Sequence, residues 1–131
     1  MAELASLLRP YRPEVVCGPL IGGAYVALGV AAALNVDFAW SSPPDYPVTG
    51  AARGRRVAIV DDAINAGSAV AATAAGLTDV VAVGALLTLG AAPPTIAGAP
   101  VERLASLDSA LWPASTCPLC AAGSPLADPP S

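Results

Sequence analysis

The densest chemistry in the sequence lies in one segment, VAIVDDAINAGSAV, residues 57–70. An apolar run ends there on two adjacent acids, Asp61 and Asp62, and continues through small residues to a hydroxyl, Ser68. Neighbouring carboxylates are costly to bury without partners. They either stand solvated in a loop or accept hydrogen bonds from vicinal hydroxyls and hold the waters of a magnesium ion. Asn65, Ala66, Gly67 and Ser68 come next, where a helix is expected to open. The free amides and dipole of a helix N-terminus favour a phosphate, although Ser68 taken alone also reads as an ordinary N-cap. Acids for hydroxyls and a phosphate cradle just beyond them together describe a site for a ribose 5-phosphate.

Two further segments carry chemistry. In Val15-Val16-Cys17-Gly18-Pro19-Leu20-Ile21-Gly22-Gly23 a brief β-branched run leaves through glycines. Those glycines either let backbone amides approach an anion closely or let a strand turn tightly into a helix. Cys117-Pro118-Leu119-Cys120 has a metal-like spacing, but one pair supplies two thiolates where zinc wants four ligands. Cys17 is distant in sequence and the chain has no histidine, so no zinc site within one chain is expected. A site shared across a dimer and a reversible disulfide are the readings left for Cys117 and Cys120.

In parallel α/β sheets ligands sit beyond the carboxyl ends of strands, so the elements around these exits decide whether they meet. Helical spacing of apolar residues predicts a short helix over 2–9, stopped by Pro10. Strands are expected over 14–17, 36–40, 56–60 and 79–89, with a last one over 101–107, and helices over 23–34 and 69–75. The Pro, Gly and Ser-rich stretch 41–54 reads as a loop or weak hairpin. Alternation of strands and helices at this spacing indicates an α/β layer with a mostly parallel sheet. Roughly 40 residues, with one helix and one strand, separate the glycine loop from the paired acids, compatible with both meeting at the sheet's carboxyl edge.

Composition removes other chemistries. Among 131 residues there are ten acids and six arginines, with neither lysine nor histidine, for a formal charge of −4. Histidine general bases, serine–histidine triads, histidine-liganded metals and lysine chemistry are therefore excluded. The only basic cluster is Arg53, Arg55 and Arg56, so no electrostatic footprint for nucleic acid is present. Segments 15–36 and 80–101 lack charge and are long enough to span a bilayer, but Gly18-Pro19, Gly22-Gly23, Gly90 and Pro93-Pro94 interrupt them. Much of the mean hydropathy of +0.63 comes from alanine, so no membrane span is expected. Without a basic leader, and with few cysteines, the cytoplasm is the expected compartment. The size suggests one domain over residues 1–126 with a frayed tail at 127–131.

With these motifs set out, residues 57–70 resemble the phosphoribosyl-pyrophosphate (PRPP) motif of type I phosphoribosyltransferases, an apolar strand, two acids, two apolar residues and a Thr-x-Gly-Thr-like loop. The Ala66-Gly67-Ser68-Ala69 portion is closest to the orotate phosphoribosyltransferase version. Asn65 stands where the family usually has threonine, and Ala63 where it has a larger apolar residue. Residues 18–24, Gly-Pro-Leu-Ile-Gly-Gly-Ala, resemble the pyrophosphate-binding loop of the orotate-type enzymes, and similar Cys-Pro-x-Cys endings occur in some bacterial members. The resemblance runs from about residue 8 to residue 126.

It implies a three-layer α/β/α fold around a mainly parallel sheet of five to six strands. It implies transfer of ribose 5-phosphate from PRPP to a pyrimidine base with release of pyrophosphate, and Mg2+ as cofactor. Asp61 and Asp62 would serve the ribose hydroxyls and, indirectly, the metal; Asn65, Ala66, Gly67 and Ser68 the 5-phosphate; Gly18, Pro19, Leu20, Ile21, Gly22 and Gly23 the pyrophosphate. A homodimer is implied too. Family members also have an N-terminal hood that holds the base, and a long mobile loop whose cations close over pyrophosphate. Here the sequence opens just before the first core strand, and the stretch Ser41 to Gly54 is short and without lysine. Arg53, Arg55 and Arg56 are either replacements for those cations or solvated surface residues. The alternative reading is a non-catalytic relative that binds PRPP or a nucleotide as a sensor or subunit.

Overall fold

The computed structural model describes residues 1–90 and 92–108. Its elements run α1 (Ala2–Leu8), β1 (Val15–Pro19), α2 (Gly22–Leu34), β2 (Asp37–Ser41), β3 (Val57–Ile64), α3 (Ser68–Ala75), β4 (Val80–Leu89), β5 (Thr95–Ile96) and β6 (Ala99–Leu107). Cys117, Cys120 and the expected tail lie outside the described residues.

The strands form one six-stranded sheet in the order β2-β1-β3-β4-β6-β5. Every pairing is parallel except that of the short edge strand β5 with β6. β1 throughout and β3 from Val57 to Val60 are buried, which is why they read as near-continuous apolar runs rather than alternating ones. Odd and even positions of those runs feed different layers. Val57 and Ile59 pack with Val70 and Ala74 of α3, while Ala58 and Val60 pack with Leu4 and Leu8 of α1 and with Val26, Ala27 and Val30 of α2. The result is the expected α/β arrangement, with α1 and α2 on one face and α3 on the other.

Small residues let the layers approach. A Cβ on Gly84 of β4 would lie 3.1 Å from the Cδ1 atoms of both Leu4 and Leu8, so α1 rests directly on the strand at that point. The Tyr11 hydroxyl fixes the end of this helical segment by donating to Glu102 Oε1 of β6 at 2.6 Å. On the opposite face the fully buried Ser41 and Thr73 hydroxyls share a 2.7 Å hydrogen bond, and Thr73 also donates to the Ala69 carbonyl. Each buried hydroxyl is thereby satisfied.

Two elements differ from expectation. β3 continues four residues past Val60, pairing Asp61 with Ala85, Ala63 with Leu87 and Ile64 with Thr88. The acids interrupt the apolar pattern, but the backbone ladder needs no apolar side chains, and the strand simply emerges from the core. β5 was not expected at all. It belongs to a hairpin whose two turn residues, Ala97 and Gly98, both have positive φ, 52° and 78°. Such turns usually carry Asn, Asp or Gly at the first position, and alanine there conceals the signal. Stretch 41–54 is a tied-back loop, with a Ser41–Val48 bridge and a 3-10 turn at Gly50–Ala52. Among the described residues no helix is long and apolar enough to cross a membrane.

Candidate functional site

The two exits singled out in the sequence meet at the carboxyl edge of the sheet. β1 and β3 are adjacent and parallel, in register from Val15 with Val57 to Cys17 with Ile59, so both chains leave the sheet side by side. The loop after β1 then folds back on itself. A Cβ on Gly18 would fall on the carbonyl oxygen of Gly23 and 2.8 Å from the Ala24 nitrogen, so glycine is required for this close backbone return. The Leu20 N–H donates to the Ser41 carbonyl at 2.8 Å, anchoring the loop to the end of β2. The Leu20–Ile21 peptide is cis.

The same loop closes onto the acids. A Cβ on Gly22 would overlap the Asp62 carboxylate, and one on Gly23 would lie 2.9 Å from Asp61 Oδ1. The Asp62 N–H donates to Asp61 Oδ1 at 2.8 Å and the Ala63 N–H to Asp62 Oδ1 at 2.8 Å, orienting each carboxylate from its own chain. Asp61 is half-buried and Asp62 exposed. Burial pushes the Asp61 carboxyl up to about 7, with the neighbouring Asp62 adding to the rise and the Asp62 amide opposing it. Among the described residues neither acid has an ion-pair partner.

Beyond the acids, Asp61, Ala63, Ile64, Asn65, Ala66, Gly67, Ser68, Ala69 and Val70 line a cleft of about 330 Å3. Gly67 caps α3 with φ 85°, a left-handed conformation that lets the chain turn from β3 into the helix, and Ile96 of β5 packs under it. The first amides of α3 have no partner within the helix and face this end. The unexpected strand β5 thus supports the candidate phosphate loop.

The arginines fall elsewhere. Arg55 donates to Asp37 Oδ2 at 2.7 Å and to the Glu14 carbonyl at 3.2 Å, while Arg56 donates through Nε to the Arg12 carbonyl at 2.8 Å. Asp37, Glu14 and Arg56 stand at or just before the starts of β2, β1 and β3, so these guanidinium groups tie the amino edge of the sheet. Arg53 also precedes β3, beside Gly76, Leu77 and Thr78. None of the three stands at the carboxyl edge, and the surface reading of the cluster holds. The cation level with the acids is Arg103 of β6, which sequence reasoning passed over. Its register partner is Ala85, whose own partner is Asp61, placing it about 10 Å across two strand spacings. Only the parallel pairing of β6 reveals this.

The magnesium implied by the resemblance is judged from the donors themselves. Two carboxylates with no competing cation and no nitrogen or sulfur donor suit a hard ion held largely through water and substrate oxygens. No group of three or more potential metal ligands exists among the described residues, so a site built wholly from protein is not part of this arrangement. Cys17 is no substitute, since it is fully buried in β1 and burial pushes its thiol up to about 12.

The fold and this site define a phosphoribosyltransferase-like protein. A phosphoribosyltransferase from Corynebacterium diphtheriae superposes with a TM-score of 0.67 at 21% identity, over 80% or less of either chain, namely 79% of this one and 70% of that one. Sequence relatives narrow the class. The orotate phosphoribosyltransferase of Heliobacterium modesticaldum is 34% identical over 141 aligned positions, covering 98% of this chain and 73% of the relative. That of Thermotoga maritima is 31% identical with the same coverage. The chain belongs to the type I phosphoribosyltransferase family and is orotate phosphoribosyltransferase-like. No family model matches it.

Proposed function

We propose that this protein transfers ribose 5-phosphate from PRPP to a pyrimidine base, orotate, releasing pyrophosphate. The observation that carries the reading is the closure of the Gly18–Gly23 loop onto Asp61 and Asp62, beside the cleft that runs to the start of α3. In this reading Asp61 and Asp62 accept hydrogen bonds from the ribose hydroxyls and hold magnesium through its waters. Amides of Asn65, Ala66, Gly67 and Ser68 take the 5-phosphate, and the loop Gly18, Pro19, Leu20, Ile21, Gly22 and Gly23 takes the pyrophosphate through the amides of Ile21, Gly22 and Gly23, the Leu20 amide being held by the Ser41 carbonyl. A magnesium ion held there by Asp61 and Asp62 would supply positive charge to offset the negative charge developing on the leaving pyrophosphate.

Displacement at the anomeric carbon passes through an oxocarbenium-like state and needs no nucleophilic side chain. The residues of this chain position the sugar, exclude alternatives by shape, and balance charge. The assay is consumption of orotate with PRPP and magnesium, run beside other bases. Production of the nucleotide supports the proposal, and its absence despite PRPP binding overturns the catalytic part. We place the reaction in the cytoplasm, on a homodimer.

One observation favours a second reading, PRPP binding without transfer. The tied-back stretch after β2 carries no cation before Arg53, which stands at the amino edge. Removing one preorganised cation or donor costs roughly 3 kcal/mol of transition-state stabilisation, about a hundredfold in rate. Saturable binding with no turnover on any base would establish this second reading.

A further inference from the structure

Cations are scarce in this chain and the substrates proposed for it are anions, so the place of each arginine matters. There are six, with no lysine or histidine. Five lie before a strand, on its amino side: Arg9 and Arg12 ahead of β1, and Arg53, Arg55 and Arg56 ahead of β3. Only Arg103 is carried within a strand on its way to the carboxyl edge.

Its side of the sheet is fixed by its neighbours. Val101 packs against the layer that holds Val70 and Ala74 of α3, whereas Glu102 turns to the opposite face and accepts from the Tyr11 hydroxyl. Alternation along the strand returns Arg103 to the α3 face. Val57 and Ile59 belong to that layer as well, so Asp61 shares it, and the pairing of Asp61 with Ala85 and of Ala85 with Arg103 sets acid and cation at one level. The Arg103 side chain is exposed.

The order of strands then separates the anions. Across the sheet it runs β1, β3, β4, β6. The glycine loop assigned to pyrophosphate leaves β1 on one flank of the acids, and Arg103 stands on the other. The cleft assigned to the 5-phosphate is lined by β3, α3 and the turn between them, with no residue of β6. A group entering at an anomeric carbon comes from the side opposite the one that leaves, so the base arrives from the flank of β4 and β6. β4 ends there on Thr88 and Leu89, followed by Gly90, which bring no charge.

We propose that Arg103 is the specificity-determining residue for the base, its guanidinium pairing with a carboxylate on the incoming pyrimidine. This rests on the function proposed above and says how that site selects its base. The guanidinium fork matches a carboxylate in a bidentate pair. The two phosphate groups have loop amides to hold them, while the carboxylate has no other cation of this chain on its flank. In a protein of net charge −4 an anionic base without that partner is repelled, and a neutral pyrimidine such as uracil enters as readily.

The experiment is calorimetric titration of the full chain with orotidine 5-phosphate and with uridine 5-phosphate, which differ only by the carboxylate and need no turnover. The wild type should bind the first about tenfold or more tightly than the second. Arg103→Gln should bring the two affinities together, and Arg103→Lys, which keeps the charge without the fork, should retain part of the difference. Circular dichroism and thermal melting verify folding, and should Arg103→Gln misfold, a narrowed preference in Arg103→Lys decides. Equal affinities in the wild type, or a preference that survives Arg103→Gln, would overturn the proposal. So would an equal loss of both nucleotides with the preference intact, because the arginine would then serve the phosphate. A preference that depends on Arg103 without turnover of orotate refutes only the transfer reaction, whereas turnover without that preference refutes only the role of Arg103. Failure of the wild type to bind either nucleotide overturns both.

Discussion

Asp61 should make the empty protein less stable while making the ligand-bound one possible, and replacing it by asparagine separates the two effects. Its carboxyl is pushed up to about 7 from an ordinary 3.8, with burial the largest cause. In the unfolded chain it loses its proton near pH 4, and in the folded protein near pH 7. Between those values the folded state holds the extra proton, so this group's contribution to stability falls as pH rises from about 4 to 7, and the full penalty persists above. The gap is equivalent to about 4 kcal/mol undiscounted, and solvent screening of a half-buried carboxylate reduces it to about 1–2 kcal/mol. Asp61→Asn keeps an oxygen to accept the Asp62 amide but cannot ionise. Urea unfolding of both proteins should give nearly equal stabilities at pH 4.5, and at pH 8 an advantage of about 1–2 kcal/mol to the variant, some 4–8 °C in melting temperature. The same variant should lose PRPP affinity. A stability difference that does not grow between pH 4.5 and pH 8 would refute the assignment of a buried, costly charge at this position.

Other expectations follow from the same geometry. PRPP binding to the wild type should weaken as pH falls below 7, by up to tenfold per pH unit, because the acid must ionise to act; a flat calorimetric profile from pH 5 to 8 would contradict this. Gly18→Ala drives a methyl into the Gly23 carbonyl and should cost about 1–3 kcal/mol in unfolding free energy together with pyrophosphate binding. Gly67→Ala strains a φ of 85° and crowds Ile96, so a loss of about 1–2 kcal/mol is expected, with a weaker 5-phosphate site. Arg103→Gln should weaken PRPP affinity a few-fold in a salt-dependent way, whereas Arg55→Gln, at the amino edge, should leave affinity unchanged and reduce only stability.

Much of this was legible before the structure because its signals are local. Buried parallel strands such as β1 read directly as apolar runs, and the glycines after β1 mark the loop that returns onto the paired acids. The end of β3 was misjudged because Asp61 and Asp62 break the hydrophobic pattern while the backbone ladder continues to Ile64. β5 escaped notice because Ala97 occupies a positive-φ turn position that gives no compositional cue. Arg103 could not be placed beside the acids from spacing alone, since its level is set by pairing across β4, a non-local fact. The direction of Arg55 and Arg56 was open for the same reason, and their partners Asp37 and Glu14 settle it.

Calorimetric titration with PRPP, with and without magnesium, on the wild type and on Asp61→Asn/Asp62→Asn, tests the central claim most directly. The account predicts magnesium-dependent binding that disappears in the variant. No binding at millimolar PRPP, or binding that the variant retains, would contradict it.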